Sequence, residues 1–305
     1  MTTTSSAKNM VLASLAADSL ALGAHWIYDT KEIDEKIGRV EELLAPVPGS
    51  YHPGKGKGDF THYGDQTLLL LESLARHQGF QADRFAEDWR QYMQSYQGYM
   101  DKASRTTLEN MDQGKGLTGS GSNSNDLGGA ARIAPLLCLY QHDRDTLLQA
   151  VQAQTALTHN NTSPMAGADL IARIGWELLH GAAIAEAVHS QVEQGVSDIG
   201  LDTRLRAALD SAGEESRTVI RNFGQNCGID SALPGVIHLL LKYEDDPRTA
   251  LIENVMAGGD SAARGLLTGM LLGASAAAKD LPEKWITDLR QYGHIQDLLA
   301  QLDKE

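Results

Sequence analysis

The sequence predicts an all-α fold, and three observations carry that prediction. Apolar residues recur at three- and four-residue spacings through most of the chain. No run of alternating β-branched residues competes with them. Aromatics make up only 6% of the residues while Ala, Leu and Gly are plentiful, a mix that favours helices packed closely through small side chains. No linker or solenoid repeat interrupts the 305 residues, of which 42% are hydrophobic, so one compact domain over 1–305 is expected.

The elements follow in order. Residues 9–23 are apolar with small side chains throughout, as in a buried helix. Over 65–77, Leu68, Leu71, Leu74 and Ala75 share one face. Over 83–100, Phe85, Trp89, Tyr92 and Met93 keep the same spacing. Consecutive helices are expected over 126–140 and 145–157. Ser163 and Pro164 supply a cap and a first-turn proline for 163–179. The spans 184–193, 202–212, 231–241, 247–256, 260–277 and 282–292 complete the series. Within 260–277, Gly265, Gly269 and Gly273 recur every four residues. Each glycine costs about 1 kcal/mol against Ala in a helix interior. Aligned on one face, they admit a second helix at close range, which places Asp260 deep in the molecule.

Charge bounds the partners. A formal net charge of −14 repels nucleic acid and anionic membranes unless a local basic patch exists. Lys55 and Lys57 are the only candidates, and in a Gly-rich loop they read as solvated, with anion binding the minor alternative. Cys138 and Cys227 stand in no CxxC or Cys/His spacing, and Cys138 lies in an apolar run that reads as core. Asp18 makes the first apolar stretch a poor signal peptide. Residues 265–278 fall short of the ~20 needed to span a bilayer. A cytoplasmic protein is expected.

Three connections, 46–64, 114–129 and 159–163, are rich in Gly, Ser, Asn or His beyond what joining helices requires, and they mark a site. Asp65 ends the first and opens an apolar helix, where a cap is the plain reading. Gly258-Gly259-Asp260 repeats that arrangement, with Arg264 one turn later. A guanidinium in a buried helix needs carboxylate partners, and Asp260 is the nearest candidate. The segment 120–132, with Asn125, Asp126, Gly128, Gly129 and Arg132, leads into a helix start that reads equally as an anion site or as a mobile capped loop. It is neither a Walker loop nor a dinucleotide fingerprint. Thr158-His159 is a weaker fourth cluster.

Taken in order, these clusters resemble the ADP-ribosylglycohydrolase family. Its opening Gly-Asp-x-x-Gly turn is matched within 15–29, with Ala17-Asp18 and His25-Trp26. Its Thr-Asp-Asp-Thr element is matched by Gly64-Asp65-Gln66-Thr67, and its Gly-Asn-Gly element by Leu127-Gly128-Gly129 running on to Arg132 and Pro135. Thr158-His159 and Gly258-Gly259-Asp260-Ser261-Ala262-Ala263 match the last two. The resemblance implies a compact orthogonal helical bundle and a hydrolase of an ADP-ribosyl or related ribosyl glycosidic bond. It implies an ADP-ribose-like ligand or ADP-ribosylated substrate, and two magnesium or manganese ions held between carboxylates. On this basis Asp65, Asp260 and His25 are candidate catalytic residues. Asp18, Asn125, Gly128, Gly129, Arg132, His159 and Arg264 are candidate ligand contacts, with the glycine backbone taking the pyrophosphate. Gln66, Ala262 and Ala263 depart from the pattern, so at most a reduced metal site of Asp65, Thr67 and Asp260 is expected. Arg264 is expected to stand in for a lost cation by bridging Asp260 and Asp65. The Gly-Asp-Gln-Thr form looks closer to the J1-crystallin-like branch. A non-catalytic ligand binder or a crystallin-like structural protein is therefore the alternative.

Overall fold

The computed structural model describes residues 3–302. Among them are eighteen α-helices, one 3₁₀ turn and no strand. The first nine helices are α1 (Thr3–Leu22), α2 (Thr30–Lys36), α3 (His62–His77), α4 (Ala82–Ser95), α5 (Lys102–Asp112), α6 (Leu117–Ser120), α7 (Gly128–Ala131), α8 (Ala134–Leu139) and α9 (Arg144–Thr158). The second nine are α10 (Thr162–Leu179), α11 (Ile184–Glu193), α12 (Ile199–Leu209), α13 (Ser216–Phe223), α14 (Ile229–Lys242), α15 (Pro247–Met256), α16 (Ser261–Ala274), α17 (Glu283–Thr287) and α18 (Tyr292–Leu302). The all-α expectation holds, and one apolar core runs from Ala7 to Leu299. No helix among the described residues is long and apolar enough to cross a membrane.

Several boundaries differ from the sequence reading. The span 126–140 is two short helices, because Pro135 lacks an N–H and its ring would clash with the carbonyl one turn earlier. The span 260–277 stops at Ala274, and 282–292 holds only α17 before α18 begins. Helix α5 was not legible, since its buried face is only Ala103, Ser104 and Thr107. Part of the acidity is structural. Asp29, Asp101, Asp143, Asp198, Asp246 and Asp260 each accept a backbone N–H at a helix start.

The glycine stripe does what its spacing predicts. A Cβ on Gly265 would lie 3.2 Å from the Ala17 carbonyl oxygen, one on Gly269 2.5 Å from that of Ala13, and one on Gly273 2.6 Å from that of Asn9. The contacts run in opposite directions along the two chains, so α1 and α16 pack antiparallel at backbone distance. Ser14 Oγ donates across the same seam to the Leu266 carbonyl at 2.9 Å. The last turn of α1 therefore meets the first turn of α16.

Asp18 brings α3 to the same end. Its carboxylate is fully buried and accepts from Thr61 N at 2.7 Å and Thr61 Oγ1 at 2.6 Å. Thr61 is the N-cap of α3. A Cβ on Gly64 would fall 2.4 Å from Asp18 Oδ2, so only glycine fits there. Burial lifts the Asp18 carboxyl to about 7, against the opposing pull of the two Thr61 bonds. Expected as a ligand contact, Asp18 instead has both oxygens committed to holding a helix start.

Candidate functional site

The starts of α3 and α16 and the turn after α1 converge. Gly258 and Gly259 have φ of 72° and 67°, and a Cβ on Gly259 would sit 2.1 Å from the Gln225 carbonyl oxygen. Gly259 N donates to the Ile27 carbonyl at 2.8 Å, and Trp26 N to the Gly259 carbonyl at 2.9 Å. This exchange holds Trp26 at φ 66°, a conformation costing a bulky side chain about 1–3 kcal/mol. The result is an indole stacked on His25, with ring centroids 4.4 Å apart.

Asp260 is 0% exposed. Its Oδ2 accepts from Tyr63 OH at 3.0 Å, and its Oδ1 from Ala263 N at 3.3 Å. Burial raises the carboxyl to about 6, with the Ala263 and Tyr63 bonds and the nearby Arg264 charge opposing. Tyr28, 49% exposed, and half-buried Cys227 both feel the Asp260 charge through space.

The expected Arg264 bridge is not formed. Arg264 Nε donates to Asn254 Oδ1 at 3.1 Å, and Nη2 donates to the carbonyls of Asn254 and Gly258 at 2.9 and 2.8 Å. Helix α15 ends at Met256 and leaves C-terminal carbonyls without intrahelical donors, and the guanidinium takes two from this region. Arg264 thus holds the glycine turn, and it acts on Asp260 through space only.

Asp65 faces a different set of groups. It accepts from Lys55 Nζ at 2.6 Å and Tyr96 OH at 2.5 Å. Lys55, read from sequence as solvated, has a side chain only 19% exposed. Lys57 does pair at the surface, with Glu42. Thr67 Oγ1 donates back to the Tyr63 carbonyl at 2.9 Å. Gln66 Oε1 accepts from Trp89 Nε1 at 2.8 Å and from Arg132 Nη1. Each side chain of the expected reduced site, Asp65, Thr67 and Asp260, is thus already engaged by protein partners. Asp65 already has a cation, Gln66 is spent on Arg132, and Gly64 offers no side chain. These residues do not fit a pair of magnesium or manganese ions.

The remaining candidates form a neighbouring buried network. His159 Nε2 bonds Asp126 Oδ1 at 2.6 Å, and its Nδ1 bonds Thr158 Oγ1 at 2.8 Å. Arg132 Nη2 donates to Thr158 Oγ1 at 2.5 Å. Burial alone would raise Asp126, but His159, Ser124 and the Gly128 N–H hold it below the usual carboxylate range. A Cβ on Gly128 would lie 2.7 Å from the Tyr63 ring, and one on Gly129 2.8 Å from the His159 ring. Gly128 N–H is already taken by Asp126 at 2.9 Å. The two glycines serve close packing, so the expected pyrophosphate cradle is not free there. Asn125 is exposed beside them, and its carbonyl accepts from Ile229 N.

Sequence reasoning missed the histidines that join His25. His52 comes from the Gly-rich loop and His62 from the first position of α3. Their ring centroids lie 5.3 Å (His25 to His52), 5.8 Å (His52 to His62) and 6.4 Å (His25 to His62) apart. All three are buried, and burial depresses all three, His52 to about 3 and His62 to about 4. Nε2 of His25 and both ring nitrogens of His52 and His62 have no hydrogen-bond partner. Each orphan costs about 1–3 kcal/mol. Trp26, Tyr51 and Tyr99 form an aromatic rim over them, with Tyr51 59% exposed. The only advance signal was a loop rich in His and Gly.

An all-helical bundle with a buried helix-start carboxylate beside three histidines under an aromatic rim defines the class of scaffold. The ADP-ribosylglycohydrolase family model matches residues 1–305, and the chain belongs to that family. It is 22% identical to Crystallin J1A of Tripedalia cystophora over 98% of this chain and 96% of that one. It is 23% identical to ADP-ribosylhydrolase ARH3 of Homo sapiens over 90% of this chain and 86% of that one. A solved structure titled ADP-ribosylglycohydrolase-related protein complex superposes with a TM-score of 0.76 at 19% identity, covering 98% and 97% of the two chains, which shows the fold. The family and the likeness to J1 crystallins agree with the resemblance read from the motifs.

Proposed function

We propose that this chain hydrolyses an ADP-ribosyl or related ribosyl glycosidic bond, with Asp260 as the proton-handling carboxyl. The observation that carries this reading is Asp260 itself. It is the family's helix-start carboxylate, and burial lifts it to about 6, where it exchanges a proton near neutral pH. His25, the second candidate, lies with Nδ1 3.8 Å from Asp260 Oδ1, and burial keeps its ring neutral beside that carboxyl. The rim of Trp26, Tyr51 and Tyr99 offers faces on which a nucleobase can stack. Exposed Asn125 is the remaining polar contact at the loop. No step is assigned to magnesium or manganese, because Asp65 is paired with Lys55 and Gln66 with Arg132.

The test is release of ADP-ribose from ADP-ribosylated peptides, followed by mass spectrometry. Turnover that falls at least ~100-fold in Asp260→Asn supports the reading. Turnover unchanged in a folded Asp260→Asn chain refutes it. A second reading, a non-catalytic binder or crystallin-like structural protein, is favoured by one observation: Asp65 is already paired with the Lys55 ammonium and hydrogen-bonded by Tyr96. Binding of ADP-ribose without turnover supports the binder, and neither binding nor turnover the structural protein.

A further inference from the structure

We propose that His25, His52 and His62 form a binding site for one divalent ion of the zinc class, distinct from any carboxylate-held magnesium pair. Three separate segments deliver the ligands: the turn after α1, the loop before α3, and the first residue of α3. One ring nitrogen of each histidine lies within 4.8 Å of the other two. A tetrahedral ion about 2.0–2.1 Å from each nitrogen holds neighbouring nitrogens roughly 3.4 Å apart. The rings need close by no more than roughly 1.4 Å to reach that geometry, and loop-borne His52 is the one best able to move.

The side chains around the cluster fit such an ion. Five of the six ring nitrogens have no partner among the protein's own groups, although all three side chains are buried. Three grouped, buried neutral imidazoles, each with one lone-pair nitrogen to offer, call for a shared electrophile. Burial also keeps the rings neutral, the form that ligates a metal. Two of the three rings have a carboxylate behind them. Asp260 Oδ1 lies 3.8 Å from His25 Nδ1, and Asp101 Oδ2 lies 3.6 Å from His62 Nε2. An ion on His25 Nε2 puts the ring proton on Nδ1, facing Asp260. That exchanges the long 3.4 Å contact between Nδ1 and the Ala262 N–H for a charge-assisted bond. A carboxylate behind a ligating imidazole orients it and strengthens its donation. Three imidazoles suit zinc, cobalt, nickel or copper, whereas magnesium prefers oxygen. This site stands on the imidazoles alone and does not depend on the hydrolase reading.

The test uses the full chain, freed of metal and titrated with Co²⁺ in chelator-free buffer, followed by visible absorption. One Co²⁺ per chain is expected, with the strong visible bands of a low-coordinate site, displaced by Zn²⁺ and not by Mg²⁺. His52→Gln, a loop substitution, should weaken Co²⁺ binding at least ~100-fold, and Asp260→Asn about 10-fold. Circular dichroism and a thermal melt check that each variant folds. The wild-type spectrum decides even if a variant does not fold: no stoichiometric binding, or only the weak bands of a six-coordinate aqueous ion, overturns the site. So does a folded His52→Gln chain with unchanged spectrum and affinity.

Discussion

Asp65 and Asp260 look alike in the sequence, since each opens an apolar helix after a glycine-rich stretch, yet the fold gives them opposite surroundings. Asp65 touches the Lys55 ammonium and the Tyr96 hydroxyl. Asp260 touches only the Tyr63 hydroxyl and a backbone N–H, with an imidazole at 3.8 Å. One carboxylate is paired with an ammonium, while the other has no lysine or arginine bonded to it. What a carboxylate can do is set by the tertiary neighbours that the fold supplies, and helix-start chemistry alone does not distinguish the two.

Removing Arg264 or Lys55, one cation buried and one partly exposed, breaks that comparison most sharply. Arg264→Met strands the acceptors of Asn254 and Gly258 and loosens the glycine turn, a loss of about 4 kcal/mol for a buried charged network. Lys55→Met leaves Asp65 without its cation. That pair is partly exposed, so about 2 kcal/mol is expected. Urea unfolding of both variants checks the order. If Lys55→Met costs more than Arg264→Met, the roles assigned to them are reversed.

Between these two effects lies a pH dependence. The folded Asp18 carboxyl, at about 7, keeps a proton that the unfolded chain, near 3.8, has released. Through that window the folded state binds more protons, so this group's contribution to stability falls as pH rises from about 4 to 7 and is level above. Asp18→Asn mimics the protonated side chain, keeping one acceptor for Thr61 N and one donor for Thr61 Oγ1. It should flatten this part of the profile and stabilise the protein at pH 8 by about 3 kcal/mol, taking 1.36 kcal/mol per unit with a discount for relaxation. Melts across pH 4–8 measure it, and an unchanged slope in Asp18→Asn would place the titration elsewhere.

Much of this architecture was legible because it rests on local pattern. Four-residue glycine spacing is a helix-packing signal, and it located Asp260 correctly in the interior. The partners of the charged groups were not legible. Arg264 could be expected beside Asp260 from one-turn spacing, but the carbonyls near the end of α15 are a tertiary fact. Lys55 reaches Asp65 only because the loop folds back over the start of α3. His25, His52 and His62 sit at spacings that match no ligand motif, and two of the segments that carry them are irregular, so nothing periodic announces their meeting.

The central claim is that function gathers at Asp260 and the histidines, with Asp65 outside it. The most direct test is calorimetric titration of ADP-ribose into protein dialysed free of magnesium and manganese, repeated with each ion added. Binding of the same affinity with and without the ions is the predicted result. Binding that appears only with magnesium or manganese, at two ions per chain, would mean that Asp65 leaves Lys55 to join Asp260, and would contradict the account.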